Sequence, residues 1–219
     1  MDTLASSDLL EVTLLSLVVS GLATAISLVI GLPLGTWLAL TRFRSRGLTL
    51  SVVNTGMALP PVVVGLFVAV LLWRSGPLGG LGLMYTPSAM VIAEVIIATP
   101  VMLGLTVAAL AQLDPRLRLQ LLGLGASRWQ STWWLWREAR LPLLAALMAA
   151  FGSVISEVGA AMMVGGNIRH ETRVLTTSIV LETGKGEFGA AIALGVVLLA
   201  LAFVVNAVLT RAQQRGPHA

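Results

Sequence analysis

Five apolar runs, each as long as a bilayer is thick, leave this chain few ways to fold. They cover residues 12–40, 48–73, 88–111, 143–164 and 189–209. A hydrocarbon core of about 30 Å needs about 20 helical residues, so each run predicts a crossing. In lipid every backbone N–H and C=O must be satisfied within the segment, and helices do this. The expected fold class is therefore an all-α polytopic membrane protein with five transmembrane helices. Residues 1–219 read as one transmembrane domain, with a core over 12–210 and an elaborate loop over about 112–142. Hydrophobic residues make up 57% of the 219 and charged residues 11%, against about 25% charged in soluble domains. That balance excludes an ordinary cytosolic enzyme, a disordered tail and, with no cysteine present, a disulfide scaffold.

Charge placement sets the orientation. Met1 to Glu11 holds Asp2, Asp8 and Glu11 and no basic residue, so the first run lacks a signal peptide's positive start and is retained. With the N-terminus outside, ten arginines fall on the inner segments, against three arginines and Lys185 on the outer ones. This positive-inside bias puts the C-terminus in the cytoplasm. Basic residues at segment ends, with 5% aromatics, read as membrane anchors and not as a nucleic-acid surface. Pro33 within Gly31–Gly35 predicts a tilt or kink in the first helix, and the two glycines allow close helix packing.

Two segments do not behave as spans or simple connectors. Residues 174–181 are too short to cross and predict a short outer helix, either a surface element or a gate. The loop over 112–142 has internal order: Asp114-Pro115 can start a helix, Gly123 to Gly125 break it, and Ser127 can cap another. Beyond it Trp129, Trp133 and Trp136 recur at helical spacing beside Trp134. Such a stripe suits anchoring in the interface or docking into a partner's groove.

Enzymatic chemistry finds no foothold. Gly184-Lys185-Gly186 has Ile179 where a phosphate loop needs its first glycine and Gly186 where it needs a hydroxyl. His170 and His218 form no pair at metal-ligand spacing, so no metal and no catalytic residue is expected. Glu94 and Glu157 lie in membrane segments. Each is either part of a proton relay or an acceptor within a polar network.

The loop and the block after it resemble the permease subunits of binding-protein-dependent ABC importers. That family's loop begins Glu-Ala-Ala, with a glycine six residues after the glutamate. Here Gly125-Ala126-Ser127-Arg128-Trp129-Gln130 matches the glycine core, while Leu119, Gln120 and Leu121 stand at the triplet. Ile155 to Ile168 resembles the Gly-Glu-Phe-Gly-Ala … Ala-Gly-Asn-Ile block of oxyanion permeases. Thr172 to Thr176 and Leu59 to Gly65 are similar to two further blocks of theirs. Arg137 to Arg140 read Arg-Glu-Ala-Arg, as in tungstate permeases, which the chain most resembles over residues 12–210.

The resemblance implies the type I importer permease fold in a bacterial or archaeal inner membrane, a second permease copy, two cytoplasmic ATPase subunits that bind ATP-Mg, and an external binding protein. This chain would bind no cofactor. It implies coupling to the ATPase through Leu121, Gly125, Ala126, Ser127, Arg128, Trp129, Trp133 and Trp136. The gate and pathway wall would hold Pro60, Pro61, Gly159 and Met163. A dianion needs neutral donors along its way, and Thr99, Ser153, Ser156, Asn167, Thr176 and Thr177 could supply them. The expected function is import of an oxyanion, tungstate first, with molybdate or sulfate also compatible. The alternative is a proton-coupled secondary transporter using Glu94 and Glu157.

Overall fold

The computed structural model describes residues 6–214, so the expectations placed on Asp2 and His218 lie outside them. Ten α-helices follow in order among the described residues: α1 (Ser6–Leu40), α2 (Arg46–Met57), α3 (Pro61–Leu72), α4 (Pro87–Ala111), α5 (Pro115–Gly123), α6 (Arg128–Glu138), α7 (Arg140–Ile155), α8 (Gly159–Gly165), α9 (Leu175–Gly184) and α10 (Phe188–Gln214). Three of them, α1, α4 and α10, are long and apolar enough to cross a membrane unaided. Two bent pairs, α2–α3 and α6–α7, bring the total to five if each counts as one span.

The second expected crossing, 48–73, is thus two helices meeting at 94°. Pro60 and Pro61 explain the break: neither offers an N–H, and a proline drives the residue before it out of helical conformation. Pro61 then occupies the first turn of α3, where a missing N–H costs nothing. The fourth expected crossing, 143–164, is also divided. Helix α7 stops at Ile155 and α8 starts at Gly159, where the Glu157 carboxylate reaches forward and its Oε1 accepts a hydrogen bond from the Ala160 N–H at 3.0 Å. By contrast, α1 continues as helix through Pro33. The expected short helix after residue 174 is α9.

Packing centres on α1 against α4. Gly31 and Gly35 make that approach possible: a Cβ on Gly31 would lie 2.9 Å from Met102 Cβ, and one on Gly35 2.8 Å from the Leu103 carbonyl oxygen. The small-residue pair noted in the sequence therefore is the seam between the two helices. Val64 and Val68 of α3, Met90 and Ala93 of α4, and Ala160 and Val164 of α8 form the largest core cluster. A second joins Ala98 and Met102 to Ala146, Ala150 and Val154 of α7. Hydroxyls inside these apolar helices are absorbed by their own backbone, as in Ser16 to the Val12 carbonyl and Thr106 to the Met102 carbonyl, both 2.7 Å. The outer face of α10 stays apolar, with Ile192, Leu199 and Phe203 exposed, as a lipid-facing or partner-facing helix requires.

Arginines that set the charge bias also close helix ends. The C-terminal carbonyls of α1 accept from Arg46 Nε at Leu38 (3.1 Å) and from Arg118 Nη1 at Leu40 (3.0 Å). Cations there complement the helix dipole and satisfy its orphan carbonyls.

Candidate functional site

Three regions gather the residues singled out in the sequence. The first is the contact between α3 and α8. Gly65 sits so close to α8 that a Cβ would lie 2.7 Å from Ala160 Cα. Leu59 to Gly65 and Gly159 to Gly165 therefore face each other, although a hundred residues separate them in the chain. Pro60, Ser156 and Met163 are exposed along this contact, and Pro61 and Gly159 are half-buried.

The second is a polar seam running from α4 to the start of α9. Thr99 donates to the Val95 carbonyl at 2.6 Å and meets Ser27 of α1 at 3.3 Å. Ser153 and Ser156 donate to backbone carbonyls of their own helix at 2.8 Å. Thr176 donates to the Glu157 carbonyl at 2.8 Å, and Thr177 accepts from the Val174 N–H at 3.1 Å. Asn167 has a positive φ of 53° and is pinned between Arg173 Nε (3.2 Å) and the Thr177 carbonyl (3.4 Å). In this conformation all six donors expected to face a dianion donate internally, five through hydroxyls and Asn167 through its amide. Asn167, Thr176 and Thr177 thereby hold α9 and the link before it in place, and of the six only Ser156 is exposed.

The two acids meet in this seam. Glu94 and Glu157 line one small cleft together with Ser16, Ser20 and Thr176. Its room is on the order of one water molecule. Glu94 is buried and hydrogen-bonded by Ser20. Nearby, Arg169 pairs with Asp8, and His170 Nδ1 lies 2.8 Å from Glu11 Oε2. These contacts tie the α8–α9 loop to the start of α1. Sequence spacing gives no sign of them, since about 160 residues intervene. Asp8, Glu11 and His170 do bring three potential ligand atoms within 4.8 Å, but the Arg169 guanidinium already neutralises Asp8.

The third region is the corner between α5 and α6. Asp114 caps α5 by accepting from the Arg116 N–H at 2.8 Å. At its other end the Ala126 N–H reaches the Leu121 carbonyl (3.0 Å) and the Gly125 N–H the Leu122 carbonyl (3.1 Å). Gly125 stands at φ +86°, so this is a Schellman ending that needs a residue without a side chain. Ser127 then caps α6 in a reciprocal box with Gln130, at 3.2 and 2.8 Å. The outcome is a rigid corner with Leu124, Trp129 and Trp133 exposed at 86%, 67% and 56%. Arg128 is exposed beside them, and Leu121 and Ala126 are half-buried. Trp136 departs from the expected surface role. Its ring stacks edge-on with Trp129 and Trp133, while its indole N–H donates to Thr36 of α1 at 2.8 Å. It anchors the corner to the bundle.

Long and bent apolar helices with a capped, aromatic corner at one end define a helical membrane protein of the polytopic class. The chain belongs to the family described as binding-protein-dependent transport system inner membrane component, whose model matches residues 31–215. It is an ABC importer permease and a multi-pass inner-membrane component. It is 41% identical to the probable anion ABC transporter permease protein of Haloferax volcanii, covering 95% of this chain and 92% of that one. With the tungstate uptake system permease protein TupB of Peptoclostridium acidaminophilum it shares 40% identity over 98% of this chain and 95% of that one. Among solved structures, the inward-facing MetNI methionine ABC transporter matches with a TM-score of 0.76 at 17% identity, covering 98% of both chains. That likeness concerns the fold alone. Family membership also sets the ABC reading above the proton-coupled alternative.

Proposed function

We propose that this chain is one of two identical permease halves of an ATP-driven importer for tungstate. Two cytoplasmic ATPase subunits, which bind ATP-Mg, and an external binding protein complete the assembly. The N-terminus faces outward and the C-terminus inward, with α2–α3 serving as one bent crossing and α7 with α8 as another, while α6 lies at the cytoplasmic corner. The reading is carried by the α5–α6 corner, where an apolar, aromatic surface of Leu124, Trp129 and Trp133 stands clear of the bundle. Large exposed apolar patches mark sites of association, and a capped corner transmits force better than a loose loop. The cargo class rests on likeness to anion and tungstate permeases along nearly the whole chain.

In this scheme, closure of the ATPases moves the two corners, and each bundle rocks as a rigid body about the shared axis. The α3–α8 contact forms the gate, with Pro60, Pro61, Gly159 and Met163 at its face. Thr99, Ser153, Ser156, Asn167, Thr176 and Thr177 would exchange internal partners for the passing anion. Neutral donors of this kind hold an ion weakly enough to release it. The test is ATP hydrolysis by the assembled complex in liposomes, with the binding protein loaded in turn with tungstate, molybdate and sulfate. Tungstate should stimulate turnover most. If no oxyanion raises turnover above the unloaded rate, the proposal fails.

A further inference from the structure

The cleft between α1, α4 and the α7–α8 link holds a pair of acids that transport of an anion does not require. Two carboxyl groups line it, Glu94 and Glu157, together with the hydroxyls of Ser16, Ser20 and Thr176, and among the described residues no arginine, lysine or histidine does. Glu94 is 3% exposed, and its Oε2 has no hydrogen-bond partner. Glu157 uses one oxygen on the Ala160 N–H. Thr176 turns its proton to the Glu157 carbonyl, and Ser16 turns its own to the Val12 carbonyl. The hydroxyl protons of Thr176 and Ser16 are therefore committed elsewhere, so neither can donate to the Glu94 carboxylate; Ser16 Oγ also accepts from the Leu175 N–H at 2.8 Å.

A buried carboxylate oxygen with no donor is expensive, and two acids without a cation are more so. The space is on the order of one water molecule, too small for a hydrated ion or a basic side chain. Oxygen-only donors suit a hard cation. Calcium wants six to eight oxygens and magnesium keeps several waters, more than this cleft accommodates. The geometry points to a binding site for one dehydrated, sodium-sized monovalent cation, held between Glu94 and Glu157 and the surrounding hydroxyls. Such an ion ties α4 to the link before α8 and to the first turn of α9, and so stiffens the hinge of the α3–α8 contact. It also offsets one negative charge beside the route of a negative cargo. The inference holds whichever oxyanion crosses, because it concerns the chain's own acids.

The test is thermal unfolding of the purified full-length chain at one pH and one ionic strength, in sodium, potassium or choline chloride. Sodium should raise the midpoint in a saturable manner, by about 3 °C at several times the dissociation constant, with potassium weaker and choline without effect. Glu94→Gln should erase the sodium dependence while matching or exceeding the wild-type midpoint in choline, since an amide needs no cation. Glu157→Gln provides a second variant with the same expected loss. Equal wild-type midpoints in sodium and choline overturn the site, as does a full sodium shift in Glu94→Gln. A wild-type midpoint that rises on acidification yet ignores sodium also overturns it, because a proton then fills the position.

Discussion

Replacing Gly125 by proline is expected to abolish oxyanion-stimulated ATP hydrolysis in the assembled complex while leaving the membrane bundle folded. Gly125 stands at φ +86°, and proline is restricted to about −65°. The substitution also removes the N–H that meets the Leu122 carbonyl at 3.1 Å. The turn between α5 and α6 must then reorganise, re-aiming Trp129 and Trp133. The ties between corner and bundle lie away from Gly125: Arg118 of α5 reaches the Leu40 carbonyl, and α6 is held by Leu135 and by the Trp136–Thr36 hydrogen bond. Gly125→Ala keeps the N–H and costs about 1–3 kcal/mol of backbone strain, so a graded loss is expected. Arg128→Glu, which reverses charge on the same exposed surface, should impair coupling without altering the fold. The measurements are ATP turnover with loaded binding protein and, as a folding control, the elution profile and unfolding midpoint of the permease. Full stimulation in Gly125→Pro would remove the corner from the coupling route.

The second large effect is structural. Gly35→Leu should destabilise the chain by about 3 kcal/mol and deplete folded protein from the membrane. A Cβ there would lie 2.8 Å from the Leu103 carbonyl oxygen and 2.8 Å from Thr106 Cβ. Backbone and a branched residue buried in α4 cannot yield, so the α1–α4 seam must open. Gly21→Leu is the matched control, because nothing lies within 4 Å of a Cβ at that position. Both variants are compared by yield of monodisperse protein and by unfolding midpoint. Equal behaviour would show that α1 does not pack on α4 through its glycines.

How much of this was legible in the residues depends on how local the cause is. The helices α1, α4 and α10 follow from unbroken apolar length, and the caps at Asp114 and Ser127 follow from side chains acting within three positions. Pro60-Pro61 is a local signal of a break inside an apolar run long enough to cross, and the run's length alone predicts a single crossing. The restart at Gly159 is subtler, since the Glu157 carboxylate reaches forward to the Ala160 N–H within a run of small apolar residues. Trp136 shares its helical stripe with Trp129 and Trp133. Its inward role is set by Thr36, which lies 100 positions away. The meeting of Glu94 with Glu157, and of Asp8 and Glu11 with the loop after α8, is likewise a product of the tertiary fold that no spacing rule contains.

The central claim is that this polypeptide is a passive half of a conduit, driven by a motor it does not contain. The most direct test is uptake of labelled tungstate into liposomes holding either the permease alone or the permease with its ATPase subunits and binding protein. Accumulation should occur only in the complete assembly, with ATP on the cytoplasmic side. Accumulation by the permease alone, driven by a proton gradient and indifferent to ATP, would contradict the claim.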